Sequence, residues 1–312
     1  MTTTTFAEEI LRGLCAPQKY LSSKYFYDER GDKLFQKIMA APEYYLTDAE
    51  FEIFREQGKD ILAKIPFKQK DFELIELGAG DGTKTKELLK LMQHLPVTYK
   101  PIDISQNAIE NLREKFEREL PWLHFEGEQG EYFQVLGELK RSHPKLILFL
   151  GSNLGNLKDD RAKRFLLELA DDMAKGDLLL LGLDLKKSKE IVLPAYNDKQ
   201  GYTRDFNLNL LRRINTELGA DFNLQNFSHQ PEYDEIEGIA KSYLVSTEKQ
   251  KVFIEDLGQS IEFEEGEKIF MEISRKYDDE ILDNILSDSS LTVIHKFTDR
   301  RNYFCDYLIK KQ

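Results

Sequence analysis

Apolar residues along this chain follow two rhythms. Through the middle they come as short unbroken runs, each trailed by a stretch with helical spacing. Residues 72–77, 97–102, 123–126, 145–150 and 177–183 read as strands. Between them, 83–92, 105–119, a segment near 131–141 and 159–175 read as helices. Strands this apolar suit a parallel sheet covered on both faces, so the pattern predicts an alternating β/α core. Ahead of that core, 47–65 has amphipathic helical spacing, with Thr47 expected as N-cap and Glu50 completing a capping box. After Asp184 the rhythm changes. A helix over 203–218 precedes segments of alternating polarity at 239–245, 250–253 and 261–263, which read as antiparallel strands. Two last apolar runs, 291–297 and 303–309, flank a polar Asp-Arg-Arg-Asn turn and predict a terminal hairpin completing the sheet. The long segment after the fifth strand is therefore expected to be an insertion that builds a second lobe.

Composition narrows the class. With 41% hydrophobic and 32% charged residues the chain is expected to be globular, not disordered or membrane-embedded. No apolar run approaches the roughly 18 residues of a spanning helix. The start, Met-Thr-Thr-Thr-Thr-Phe-Ala-Glu-Glu-Ile, has neither a basic nor an apolar stretch, so no signal peptide is expected. Two cysteines, Cys15 and Cys305, suggest no disulfide framework. A cytoplasmic monomer is the expectation. A formal net charge of -12, without a dense basic stretch, disfavours a nucleic-acid substrate and favours a small molecule. The five histidines show no metal-ligand spacing, and no metal is expected.

The chemistry begins at Phe72-Glu-Leu-Ile-Glu-Leu-Gly-Ala-Gly-Asp-Gly-Thr83, an apolar strand closing on Glu76 and then three alternating glycines. Glycines let the backbone take positive φ and let a ligand lie against bare peptide. The next strand ends on an acid, Asp103, at about the ~20-residue spacing that delivers a carboxylate to a ribose. A dinucleotide site prefers G-x-G-x-x-G, with a helix N-terminus on a pyrophosphate. The G-x-G-x-G pattern here instead resembles the first motif of S-adenosylmethionine-dependent methyltransferases.

Further strings occur in order: Lys24-Tyr-Phe-Tyr-Asp-Glu-Arg-Gly31, Pro42-Glu-Tyr-Tyr-Leu-Thr47, Phe149-Leu-Gly-Ser-Asn-Leu-Gly-Asn156, Ala195-Tyr-Asn-Asp-Lys-Gln-Gly201, Phe206-Asn-Leu-Asn209 and Glu272-Ile-Ser-Arg-Lys276. Together they resemble the histidine Nα-methyltransferase family of ergothioneine biosynthesis, whose members trimethylate the α-amine of L-histidine to hercynine. The resemblance runs from about Tyr20 to the C-terminus. It implies a Rossmann-like class I methyltransferase sheet with a terminal antiparallel hairpin, an α/β fold, plus a second α+β substrate domain. The division it implies is 51–185 with 277–312 for S-adenosylmethionine, and 1–50 with 186–276 for the amino acid.

By the same resemblance, Gly78, Lys84, Asp103 and the pair Glu131-Tyr132 would bind the cofactor. Tyr44, Asn156 and Tyr196 would hold the carboxylate and amine of the amino acid, and Tyr27 would line the pocket near the reacting group. The chemistry, which needs a neutral amine, makes Tyr27 or a water held by it the expected proton relay. Glu272 and Ser274 would read the imidazole, and two residues apart on a strand they face the same way. A carboxylate there accepts the ring N–H while a hydroxyl donates to the other nitrogen. The chain departs from the family pattern at three places. Gly-Ser-Gly-Thr-Ser becomes Gly78-Ala-Gly-Asp-Gly82, Asp-Phe becomes Glu131-Tyr132, and a pocket-lining methionine is replaced by Ser242. A same-fold methyltransferase of another amino acid or small amine, and a catalytically idle S-adenosylmethionine-binding protein, stay open as alternatives.

Overall fold

The computed structural model describes residues 3–103, 106–139 and 143–312. Ser105 and Arg141, the expected ends of two helices, lie outside the described residues. The chain opens with α1 (Thr3–Leu14), α2 (Glu29–Met39) and α3 (Tyr45–Ala63). Alternation follows with β1 (Phe72–Leu77), α4 (Thr83–Lys90), β2 (Val97–Asp103) and α5 (Gln106–Glu119). Next come β3 (His124–Phe125), β4 (Glu128–Gln129), α6 (Tyr132–Leu139), β5 (Lys145–Phe149), α7 (Asp159–Asp172) and β6 (Leu178–Asp184). The inserted part holds α8 (Lys189–Ala195), α9 (Tyr202–Leu218), β7 (Phe227–Asp234), β8 (Ile239–Ser246), β9 (Gln250–Ile254), β10 (Gln259–Phe263) and β11 (Lys268–Arg275). The chain closes with α10 (Asp279–Leu286), β12 (Leu291–Thr298) and β13 (Phe304–Lys311).

Contacts divide these elements into two compact units, Leu46–Lys186 with Arg275–Gln312 and Met1–Tyr45 with Lys187–Ser274. The first is built on one sheet in the order β12-β13-β6-β5-β1-β2-β3, with β4 also pairing β2. Neighbours from β6 to β2 are parallel, and the terminal hairpin β12–β13 joins β6 antiparallel. Alternate residues of each central strand enter opposite cores. Leu74, Leu146, Leu148, Leu178 and Leu180 pack with Ile53, Phe54 and Leu88 on one face. Ile75, Leu77, Ile147, Leu179 and Leu181 pack with Leu166, Leu169 and Ile285 on the other. Burial on both faces explains the unbroken apolar runs.

The second unit pairs α2 with α9 and carries a three-stranded sheet, β11-β8-β7, and the hairpin β9–β10. Its core gathers Phe26, Leu34, Phe206, Leu210, Leu244, Ile269 and Met271. Strand β7 escapes the alternation rule because only Phe227 and Tyr233 on it are buried. Its Pro231 is tolerated at a sheet edge.

Two expected features take a different form. Thr47 is not an N-cap, since α3 already begins at Tyr45, and Glu50 completes no capping box. Glu50 is fully buried and takes its hydrogen bonds from Lys84 and the Gly151 N–H, partners more valuable to a buried charge than a local cap. The third strand shrinks to His124–Phe125 and resumes as Glu128–Gln129. Gly127 marks the break, where a methyl group would come within 2.6 Å of Ile109 and 2.8 Å of Phe125.

Candidate active site

Strand order reverses about β1, which has β2 on one side and β5 on the other. The carboxyl ends of such neighbouring strands leave a crevice at which open α/β sheets bind ligands. Gly78, Gly80 and Gly82 all take positive φ there, at 73, 55 and 64°. No atom lies within 4 Å of a methyl group placed on Gly80, so the turn offers open peptide surface. One placed on Gly78 would meet the Tyr132 hydroxyl at 2.7 Å, so the tyrosine lies directly over that glycine. Asp103 ends β2, and its carbonyl accepts from Gly130 N–H at 3.0 Å, which draws the Glu131-Tyr132 pair to the same edge. Burial, then the charges of Asp103, Glu131 and Glu76, raise the Tyr132 phenol to about 12, so it stays neutral and can donate. The structure thus brings Gly78, Asp103, Glu131 and Tyr132 together. Bare glycine backbone, an acid at the second strand end and a half-buried ring fit a nucleoside.

Glu76 lies beneath this turn, fully buried, accepting from Thr85 Oγ1 at 2.6 Å and from the Tyr99 hydroxyl. Burial pushes its carboxyl up to about 7, even though both hydrogen bonds pull it down. Lys84 is engaged by Glu50 and stands 3.5 Å from a methyl placed on Gly151. After β5 the backbone turns sharply. Gly151 and Ser152 both take left-handed φ, 72 and 57°. For serine that conformation is strained. It is held by Ser152 N–H to Gly182 carbonyl at 3.1 Å and Asp184 N–H to Ser152 Oγ at 3.0 Å. The strained turn launches a short 3₁₀ helix, Asn153–Asn156. Asn156 ends it exposed, while Asn153 is the amide that leans toward Gly78, 3.8 Å from a methyl placed there.

The remaining candidates sit in the other unit. Tyr27, 46% exposed, packs edge-on against Phe35 and Phe206, both at 5.6 Å between centroids. Phe35 also meets Tyr44 edge-on at 6.5 Å, so Tyr27 and Tyr44 flank one ring. Tyr196 follows α8 and donates from its hydroxyl to Ser274 Oγ at 2.7 Å. Glu272 precedes Ser274 by two residues on β11 and shares its side of the strand. His229 fixes Tyr196 from behind. Burial lowers the imidazole and keeps it neutral, so Nε2–H donates to the Tyr196 carbonyl at 2.9 Å. Ser242 is buried on β8, the strand next to β11. Among the described residues, no cluster of three His, Cys, Asp or Glu side chains is arranged to hold a metal ion.

A family model described as histidine-specific methyltransferase, SAM-dependent, matches residues 6–311. The chain belongs to this family. A protein named histidine N-alpha-methyltransferase from Mycobacterium tuberculosis is 33% identical over 298 residues, 95% of this chain and 92% of that one. Ergothioneine biosynthesis protein 1 of Schizosaccharomyces pombe is 27% identical over 302 residues, covering 94% of this chain and 39% of that larger protein. Among solved structures, mitomycin 7-O-methyltransferase MmcR aligns with a TM-score of 0.51 at 14% identity, over 100% of this chain and 69% of that one, which shows the shared fold. Members of this family use S-adenosylmethionine, and the turn and acid described above suit its adenosyl part.

Within this family member, three residues of interest escape motif reasoning: Glu50, His229 and Asp306. Only one signal in the sequence points to any of them. Gly182 interrupts the run Leu178-Leu-Leu-Leu-Gly-Leu183, and glycine inside a buried strand marks a close approach. The groups that approach are Glu50 and Asp306.

Proposed function

We propose that this family member methylates the α-amine of L-histidine, to the trimethylated hercynine, with Gly78, Lys84, Asp103, Glu131 and Tyr132 holding the cofactor. The sheet unit, 46–186 with 275–312, would then bind S-adenosylmethionine, and the unit of 1–45 with 187–274 the amino acid. The arrangement that supports the histidine reading most is the Tyr196–Ser274 hydrogen bond with Glu272 on the same side of β11. The phenol orients the serine hydroxyl, and a carboxylate beside it matches the two nitrogens of a neutral imidazole. Polar pairing of this kind discriminates strongly, because an isostere lacking the ring donor leaves the site's own groups unpaired.

When bound, S-adenosylmethionine supplies an already activated methyl group on its sulfonium. The residues of this chain need to orient a neutral amine lone pair and remove its proton. Asn156 and Tyr44, with Tyr196, would hold amine and carboxylate, and Tyr27 would relay the proton. The exposed ring of Tyr27 and the partly buried ring of Tyr44 suit the cation that builds over successive transfers. We also read the protein as a cytoplasmic monomer acting on a small molecule. Two unpaired cysteines, one exposed and one buried, and the acidic net charge of -12 agree with that reading. No helix among the described residues is long and apolar enough to cross a membrane.

The test separates the two sets of residues. Glu272→Ala should lower histidine turnover by at least about tenfold while leaving affinity for S-adenosylhomocysteine unchanged. A variant that methylates histidine as well as the parent does would remove the imidazole assignment.

A further inference from the structure

The position of Lys84 rests on two carboxylates that the sequence sets far apart. Glu50 comes from α3 and Asp306 from β13, and both are fully buried. Strand register places Asp306 opposite Gly182 of β6. A methyl group on Gly182 would stand 2.2 Å from Glu50 Oε1 and 2.9 Å from Asp306 Oδ1, so both acids crowd the space this glycine leaves. Glu50 is well supplied with donors: Lys84 Nζ, and Gly151 N–H at 2.9 and 3.1 Å from its two oxygens. Neither oxygen of Asp306 receives an N–H or O–H from the described residues. A buried carboxylate without a donor, beside a second carboxylate, is held in its acid form. Burial first, and then the Glu50 charge, push Asp306 well above the usual carboxylate range.

We propose that Asp306 is a positioning residue for the cofactor: packed beside Glu50 in the space that Gly182 leaves, it holds Glu50 and so fixes Lys84 for the cofactor's carboxylate. This rests on the reading of Lys84 as a cofactor residue. One proton on the pair leaves a single negative charge, which the Lys84 ammonium balances. Burial works against that ammonium, but the charge and hydrogen bond of Glu50 do most to outweigh it. Asp81, in the glycine turn, also feels Lys84. A second negative charge on the pair would turn the cluster against an anionic ligand. The only anionic group of S-adenosylmethionine is the carboxylate of its amino-acid tail. Asp306 therefore acts on that tail through Lys84 and leaves the adenosine end untouched.

Two probes separate the ends: S-adenosylhomocysteine carries the tail, and 5′-methylthioadenosine lacks it. By calorimetry, Asp306→Ala should weaken S-adenosylhomocysteine by at least about tenfold and methylthioadenosine by less than about threefold. Asp306→Asn, whose amide donates to Glu50 without titrating, should stay within about threefold of the parent for both. If Asp306→Ala does not fold, Glu50→Gln carries the same comparison with the same expected split. Equal weakening of both ligands, or no weakening of either, overturns the proposal. Lys84→Met should show the same split. If it does not, the Lys84 reading falls and this inference with it. A split at Lys84 without one at Asp306 or Glu50 overturns this inference alone.

Discussion

On the proposed reading, Asn156 is a side chain that matters to chemistry and little to stability. It ends a 3₁₀ helix whose start is held in place by other groups, the strained Ser152 and its bonds to Gly182 and Asp184. Its own amide is exposed at the carboxyl edge of the sheet. An amide there can accept from a substrate amine while donating to its carboxylate, which binds the amino acid and also turns the nitrogen lone pair. Asn156→Ala should lower kcat/KM for the amino acid by at least about tenfold, ~1.4 kcal/mol of transition-state stabilisation. Affinity for S-adenosylhomocysteine and the melting temperature should hold. A variant that loses stability while its folded fraction turns over normally would make Asn156 a turn residue only. At this scale the sequence announces groups that sit in short distinctive strings, such as Asn156 and Tyr196. It hides Glu50, which carries the local signature of a helix cap and is drawn inward by Lys84 and Gly151.

The β1–turn–α4 element joins stability to the cofactor end of the sheet. Glu76 is buried under the glycine turn, bonded to Thr85 of α4 and Tyr99 of β2, and burial raises its carboxyl from the ordinary 4.5 to about 7. Because the folded value lies above the unfolded one, the folded state binds more protons between them. Its contribution to stability is full below pH about 4.5 and lost as pH rises through about 7. A shift of that size corresponds to on the order of 3 kcal/mol. Asp306 is shifted in the same direction by burial and the Glu50 charge. The melting temperature of the ligand-free protein should therefore fall from pH 5 to pH 8, and Glu76→Gln should flatten part of that slope. An unchanged slope would mean that Glu76 does not carry the shift. The strand, its terminal acid and the three glycines are all local features and can be read from the sequence. The partners of Glu76 cannot, because Tyr99 is placed beside it only by the β1–β2 register. Strands β7 and β11 are harder to read than the parallel strands, since neither alternates cleanly in burial.

Across the whole molecule, two compact units are each assembled from segments distant in the sequence, and the family match spans both. Parallel strands buried on both faces made the sheet unit legible as apolar runs. The other unit was legible mainly through strings shared with a family, because its strands are half-exposed and its core draws on α1, α2 and α9 together. On the proposed reading, a site of tyrosines, one carboxylate and one hydroxyl takes a small zwitterionic substrate. Mass spectrometry of the purified protein with S-adenosylmethionine and each amino acid in turn tests that account most directly. The account predicts that histidine alone gains methyl groups, three of them, all on the α-nitrogen. Methylation of a different amino acid with histidine unchanged, or methyl groups on the imidazole ring, would contradict it.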